Sequence, residues 1–261
     1  MAKPRISLAV ERLRRQGKIV SIPVAALPSP QGPPPGSVDS LELVGPVPLP
    51  VEIEGRHMTV RWYVAGDRKG DDPNATVNVV VFGDLSDTGL LPLVRVHSAC
   101  AMGDLFGSRG SDCGPQLRSA LAQVAASAAG GMLLYLPSQE GRSIGLWAEA
   151  AAYLLQEDGF DTYEANWALG FNDDDRDYRW AASVLLHFFG TRRFRLLTNN
   201  PDKVTQLRDF GLTGLIQHGH VTGVGERNHR YLAAKREHGH SIPSAALGLP
   251  PRESEPGGET G

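Results

Sequence analysis

Cysteine is almost absent: two residues, Cys100 and Cys113, in a chain of 261. That rules out a disulfide framework and leaves burial as small hydrophobes as the ordinary fate of both thiols. Long apolar runs are missing too. No stretch of eighteen or more apolar residues is present, so a membrane-spanning helix is not expected. The N-terminal MAKPRISLAVERLRRQGK carries charge without the apolar segment and small-residue cleavage site of a leader. A basic surplus is lacking as well: Lys plus Arg number 26 against 29 Asp plus Glu, for a net charge of −3. Without a global positive field, neither nucleic acid nor an anionic membrane is an expected partner, and a cytoplasmic location is the expectation. Against these absences, 41% apolar residues is enough to bury a full core.

Composition shifts divide the chain. Residues 1–46 read as an arm. Within it, Pro4 to Gly17 sets Ile6, Leu8, Ala9, Val10 and Leu13 among basic residues, as in a short amphipathic helix. Pro23 to Gly36 (PVAALPSPQGPPPG) is expected to be an extended linker, because its prolines forbid helix and central strand. The folded body is expected after it, over 47–240. Between Leu41 and Val94, alternating and β-branched runs bounded by Gly, Asp and Pro predict a mostly antiparallel sheet. Helices are then expected over Gln116–Ala129, Ser143–Gly159, Arg176–Phe189 and Pro201–Phe210, alternating with the strands MLLYLPSQ, RRFRLLTNN and GLIQHGHV. This alternation predicts an α+β (mixed α/β) fold. The tail, 241–261, is aperiodic and rich in Pro, Gly and Glu, and is expected to be disordered.

Chemistry-bearing residues fall at the junctions. Arg95–Gln116, RVHSACAMGDLFGSRGSDCGPQ, holds both cysteines around a backbone-exposing Gly-Asp-Leu-Phe-Gly-Ser run, and is the candidate reaction centre. Glu140, Gly141 and Arg142 follow a strand where a helix begins, a place that suits anions as well as it suits plain capping. Thr198 to Lys203 (TNNPDK) repeats that arrangement before a Pro-started helix, with Lys203 as the phosphate partner if the turn is more than a cap. Asn172 to Asp177 (NDDDRD) crowds carboxylates that repel one another. Asp174 and Arg176 can turn toward one cleft and act on a phosphoryl group; a solvated acidic loop is the alternative.

Taken in order and spacing, RVHSAC, GDLFGS, DCGPQL, LLYLPSQEGRSIGL, AAYLLQEDGFDTYEANWALGF, DDRDY and RLLTNNPDKV resemble the GTP cyclohydrolase II family, over about Val47 to His240. The resemblance implies that family's fold, N-terminal antiparallel strands followed by alternating strands and helices, and a homodimer. It implies a zinc- and magnesium-dependent hydrolase that releases diphosphate and formate from GTP. By the same resemblance, Arg95, Val96, His97, Ser98, Ala99, Gln116, Glu140, Gly141, Arg142, Thr162, Thr198 and Lys203 hold the nucleotide. Asp174 stands as general base, Arg176 as the residue that attacks the α-phosphate, and Tyr153 as the tyrosine tied to ring opening.

The departure lies in the metal site, where the family has three cysteines and this chain has Cys100, Ser111 and Cys113. An alkyl hydroxyl resists the deprotonation that zinc ligands need. Asp112, His97 and Asp104 are the neighbours expected to be able to restore the count. Four further positions depart: Ala99 replaces a common glutamate, Gly110 and Ser138 common arginines, and Glu149 a common lysine. Three readings follow. The chain opens the base ring of GTP or a related nucleotide with an altered metal site; it stops at GMP and diphosphate; or it binds nucleotide without catalysis.

Overall fold

The computed structural model describes residues 3–27, 39–67, 75–86 and 89–249. Helix α1 (Lys3–Arg15) leads into β1 (Ile19–Pro23), and β2 (Ser40–Ile53), β3 (Arg56–Gly66) and β4 (Thr76–Phe82) follow. Next come β5 (Leu93–Ser98), the single turn α2 (Ala101–Asp104), α3 (Cys113–Ala126) and β6 (Gly131–Leu136). A 3₁₀ segment (Pro137–Ser143) leads to α4 (Leu146–Glu157), α5 (Thr162–Ala168), α6 (Arg179–Phe189), β7 (Phe194–Leu197), α7 (Pro201–Asp209), β8 (Leu215–His218) and α8 (His229–Glu237). No described helix is long and apolar enough to cross a membrane.

All eight described strands join one sheet in the order β1-β2-β3-β4-β6-β5-β7-β8. From β1 to β6 the neighbours are antiparallel, whereas β6, β5, β7 and β8 run parallel. The mixed α/β fold expected from the alternation is present, with antiparallel strands first. The side-chain period of two sorts the strands between two cores. Val77, Val79, Val81, Val94, Val96, Met132 and Leu134 face the side covered by α6 and α7, where Leu185, Phe189 and Leu207 meet them. Leu93, Leu133, Phe82 and Leu197 face the other side, against Ala120 and Val124 of α3.

That division makes the site. The β5-α3-β6 crossover covers one face, while β6-α6-β7 passes back across β5 and covers the other. The strand order reverses at β5, and a crevice opens beyond the carboxyl ends of the parallel strands, the usual ligand position in such sheets.

Several sequence expectations shift. The body begins before the Pro-rich stretch, because β1 pairs with β2 from Ile19–Val44 to Pro23–Ser40; most of that stretch, 28–38, lies outside the described residues. Helix α3 starts three residues early, at Cys113, and α4 and α6 start three residues late, at Leu146 and Arg179. Gly141, Arg142 and Ser143 all have positive φ, which holds the chain out of a right-handed helix until Leu146. Helix α5 went unforeseen, although Asp161 and Glu164 form a capping box at its start. Against the expected disordered tail, residues 241–249 fold back: Ile242, Ser244 and Leu247 are buried, two of them beside Leu232 of α8. Residues 250–261 lie outside the described ones.

The cysteine segment depends on a contact between backbones. A Cβ on Gly114 would stand 2.1 Å from the Gly103 carbonyl oxygen, and one on Gly103 would stand 3.0 Å from the Gly114 nitrogen. Only two bare α-carbons let α2 seat against the start of α3. Gly114→Ala is therefore expected to lose about 1–3 kcal/mol, the scale of overpacking in a core, and to lower the melting temperature by about 2–4 °C for each kcal/mol. Thermal unfolding followed by circular dichroism checks this, and an unchanged midpoint overturns it.

Candidate active site

The crevice is a cleft partly open to solvent, placed where small-molecule sites lie in sheets of this kind. Strand β5 supplies Arg95, His97 and Ser98 to its wall, with Ala99 and Cys100 just beyond. Gln116 comes from α3, Gly141 and Arg142 from the segment after β6, Tyr153 from α4, Thr162 from α5, and Thr198 and Lys203 from the β7–α7 junction. Cys100, Ser111, Cys113 and Arg176 line it too. Three expected site residues stand behind the wall. Val96 is buried with its carbonyl accepting from Lys203 Nζ at 2.7 Å. Asp174 grips Arg176 from behind, and Glu140 accepts the Ala101 amide on both oxygens, at 2.9 and 3.0 Å.

One part of the cleft is cationic. Arg95 is buried, giving hydrogen bonds to the Leu197 carbonyl at 3.0 Å and Gln116 Oε1 at 2.6 Å. Arg142 reaches Thr162 through Nη2, 2.6 Å from its carbonyl and 2.7 Å from its hydroxyl, and lies 4.3 Å over the Tyr163 ring. Arg176 is held by both oxygens of Asp174, with Nε 2.7 Å from Oδ1. Burial opposes the charge on Arg176, but neighbouring Tyr178 and Asp174 raise its pKa, so it stays protonated. Burial opposes the Asp174 charge also, yet the hydrogen bonds from Arg176 hold its carboxyl below the ordinary value. Lys203 has only 4% exposure. Burial, then the charges of Arg95 and Arg176, push its pKa well below that of a free lysine. Arg95 Nε, Arg142 Nη1 and Asn200 Nδ2 are buried and find no hydrogen-bond partner among the described residues. Such donors suit an anion rich in acceptor oxygens.

The acidic run resolves its own repulsion. Asp173 accepts from Trp167, Asp175 from Asn172 and the Arg179 amide bonds Asp177, which leaves Asp174 for Arg176. At the TNNPDK turn the capping reading holds: Asn200 caps α7, accepting the amides of Asp202 and Lys203 at 2.9 and 3.3 Å, and Lys203 also lines the cleft.

The other part gathers thiols and carboxylates. Cys100 Sγ lies 3.8 Å from Ser111 Oγ. Interaction between the two thiols lowers the Cys113 pKa to about 6 and raises that of Cys100. Cys100, Glu140 and Glu149 place one donor atom each within 4.8 Å of one another. Glu149 Oε2 is buried without a hydrogen-bond partner among the described residues. Burial, then the neighbouring Glu140, push the Glu149 carboxyl up to about 9. One thiol and two carboxylates, one of them with an orphaned oxygen, converge on one point and fit a divalent cation of the zinc type, with the Cys113 thiol lining the same cleft. Tyr153 faces this group, its phenol raised by burial and by the nearby Cys100, Glu149 and Cys113.

The three neighbours expected to complete a metal site do not turn to it. His97 Nε2 donates to Asp104 at 3.1 Å, and burial lowers its pKa to about 4, so the ring is neutral. Asp104 also accepts from the Cys100 amide at 3.0 Å and the Tyr135 hydroxyl at 3.1 Å. Asp112 is taken by Lys235 at 2.9 Å and by Gln116. Sequence reasoning also missed Tyr163, Asn166, Tyr231, Lys235 and His240, which line the cleft from α5, α8 and the turn after it. The i, i+4 spacing of Tyr231 and Lys235, which puts both on one helix face, was the available signal.

A family model for GTP cyclohydrolase II matches residues 46–216. The GTP cyclohydrolase-2 of Aliivibrio salmonicida is 44% identical over 164 residues, covering 62% of this chain and 80% of the relative. That of Helicobacter hepaticus is 44% identical over 149 residues, 57% of this chain and 75% of the relative. The riboflavin biosynthesis protein RibBA of Bacillus cereus strain B4264 is 49% identical over 156 residues, 60% of this chain but 38% of the longer relative.

Lys203 tests the cationic wall. Three ammonium protons buried against a single carbonyl acceptor cost stability. Lys203→Met is expected to raise the melting temperature by about 2–4 °C per kcal/mol recovered. Because the folded pKa lies below the unfolded one, the penalty is full below the folded pKa and fades as pH rises toward the ordinary lysine value. The gain should therefore shrink in alkaline buffer. A lower melting temperature for the variant near neutral pH overturns this.

Proposed function

The chain belongs to the GTP cyclohydrolase II family, and from that premise we propose that it hydrolyses GTP, releasing diphosphate and opening the base ring. The observation that carries this reading is the division of one cleft into a cationic wall with unsatisfied N–H donors and a thiol–carboxylate cluster beside Tyr153.

On this reading Arg95, Arg142, Arg176 and Lys203 receive the phosphates, and Thr198 lines the cleft beside them. Departure of diphosphate concentrates negative charge on the leaving oxygens, so fixed cations stabilise the transition state more than the ground state. Arg176 faces the α-phosphate. The Asp174 fork fixes its plane and stands ready to take a guanidinium proton if a nitrogen attacks phosphorus. Gln116 reads the guanine edge, and Tyr153 holds a proton for the leaving ring nitrogen. Cys100, Cys113 and a neighbouring carboxylate would hold zinc, which when bound supplies Lewis acidity and an acidified water for the ring carbon. Magnesium enters as the counter-ion of the triphosphate. A cytoplasmic homodimer completes the proposal; Leu105, Phe106 and Trp147, each at least 75% exposed beside the site, suit such an interface.

The test is mass spectrometry and formate assay after incubation of the purified protein with GTP and Mg²⁺. A diaminopyrimidinone product with formate and diphosphate is expected. GMP and diphosphate alone would replace this reading with the truncated one, for which the hydroxyl of Ser111 speaks; unchanged GTP would overturn both. Arg176→Lys, which keeps the charge and loses the fork, is expected to slow diphosphate release by about 10²–10³-fold, the loss of one preorganised donor.

A further inference from the structure

Four carboxylates and a histidine lie near the two thiols, and of these Glu149, a neighbour of Glu140, keeps a buried oxygen without a hydrogen-bond partner among the described residues. Asp112 is bound by Lys235 and Gln116. Asp104 and His97 bind each other, with the Tyr135 hydroxyl and Cys100 amide also on Asp104. Glu140 receives the Ala101 amide on both oxygens. Glu149 alone brings an oxygen that is buried and without a hydrogen-bond partner among the described residues, within 4.8 Å of the Cys100 sulfur. Its backbone position is fixed by close packing: a Cβ on Gly141 would lie 3.0 Å from Glu149 Cβ. Helix α4 thus holds the carboxylate at the Cys100 thiol, while the Cys113 thiol, 36 positions earlier in the chain, lines the same cleft.

Resting on the metal-dependent reading above, we infer that Glu149 is the third protein ligand of a mixed thiolate–carboxylate zinc centre, Cys100–Cys113–Glu149, in which Ser111 is not a ligand. Charge and donor chemistry agree. Two thiolates and one carboxylate bring three negative charges to a divalent cation, whereas a serine hydroxyl in the third place brings none. Zinc accepts sulfur and carboxylate oxygen in the same coordination shell, and three protein ligands leave one position open. The Ser111 hydroxyl, 3.8 Å from the Cys100 sulfur and 3.5 Å from the Cys113 amide, serves as a hydrogen-bonding neighbour of the ligands.

The test measures metal, not turnover. Wild type, Glu149→Gln, Ser111→Cys and the double variant are stripped with chelator. Zinc affinity is then read by competition with a chromophoric chelator, and the Co²⁺-loaded proteins are examined by visible and near-ultraviolet absorption. Wild type is expected to bind zinc at one site, with thiolate-to-cobalt charge-transfer bands. Glu149→Gln should weaken zinc by at least about 10–100-fold, the loss that removal of even an outer partner causes, and should alter the cobalt d–d bands. The double variant should regain affinity, because a thiol returns at position 111. Recovery also shows that a chain carrying Glu149→Gln folds. Wild-type affinity and an unchanged cobalt spectrum in Glu149→Gln overturn the inference, as does a wild type that binds no zinc. A protein that holds zinc through Glu149 but leaves GTP unchanged would overturn the proposed function and leave this centre standing.

Discussion

The approach of Gly103 to Gly114 is the contact on which the site depends. Each carries hydrogen where any other residue would carry carbon, and the Gly103 carbonyl occupies the space that a Gly114 side chain would need. The α2 turn can then seat on the start of α3, with Cys100 just before one element and Cys113 at the head of the other. The Asp104 carboxylate fastens the arrangement by accepting the Cys100 amide, the Tyr135 hydroxyl and the His97 ring together. A buried carboxylate with three donors is well compensated. It is a structural anchor, which is why it has no oxygen to offer a metal.

Opposed stability demands meet in the same crevice. Arg95 and Lys203 are buried, and Arg176, largely covered, stands beside them in the cleft wall. Burial weakens the hold of Lys203 and Arg95 on their protons, and for Lys203 the charges of Arg95 and Arg176 add to it. Asp174 neutralises Arg176, but Lys203 has a carbonyl and the face of Tyr178 in place of a carboxylate. Unfilled donors and like charges cost folding energy. On the proposed reading, a polyanion settling into that wall finds donors already aimed and little reorganisation left to do.

The sequence displayed local structure well and distant encounters poorly. Valine alternation in β4, the apolar stripe of α3 and the proline at the head of α7 each declare themselves within a few residues, because backbone sterics and helical period are local. The motifs from Arg95 to Gln116 and from Thr198 to Lys203 were legible as site material for the same reason: strand ends and caps have short signatures. What stayed hidden required contacts across the chain. Pairing of Ile19–Pro23 with Ser40–Val44 spans the proline-rich stretch, and composition alone placed the start of the body after it. Glu149 read as a lost lysine until the fold set it beside Cys100. Asp112, His97 and Asp104 looked nearer to the thiols along the chain, but proximity in sequence says nothing of which partners a side chain has already taken.

The region beyond the family match shows how far the cleft relies on tertiary closure. The match stops at residue 216, yet Tyr231, Lys235 and His240 form part of the wall. Lys235 ties α8 to the head of α3 through Asp112, and the same Asp112 accepts from Gln116, whose oxygen in turn takes a hydrogen bond from Arg95. A chain of polar contacts thus runs from the C-terminal helix through the cysteine segment to strand β5. Leu232, Ile242 and Leu247 bury an apolar cluster at its outer end, and the Ser241 amide donates to the Asn199 carbonyl at 2.8 Å, beside the α7 cap. These contacts pin the C-terminal segment at both sides of the crevice. Excluding water from a cleft strengthens every charge within it, so the packing of α8 and the turn after it bears on the cationic wall as directly as the residues of the parallel strands do.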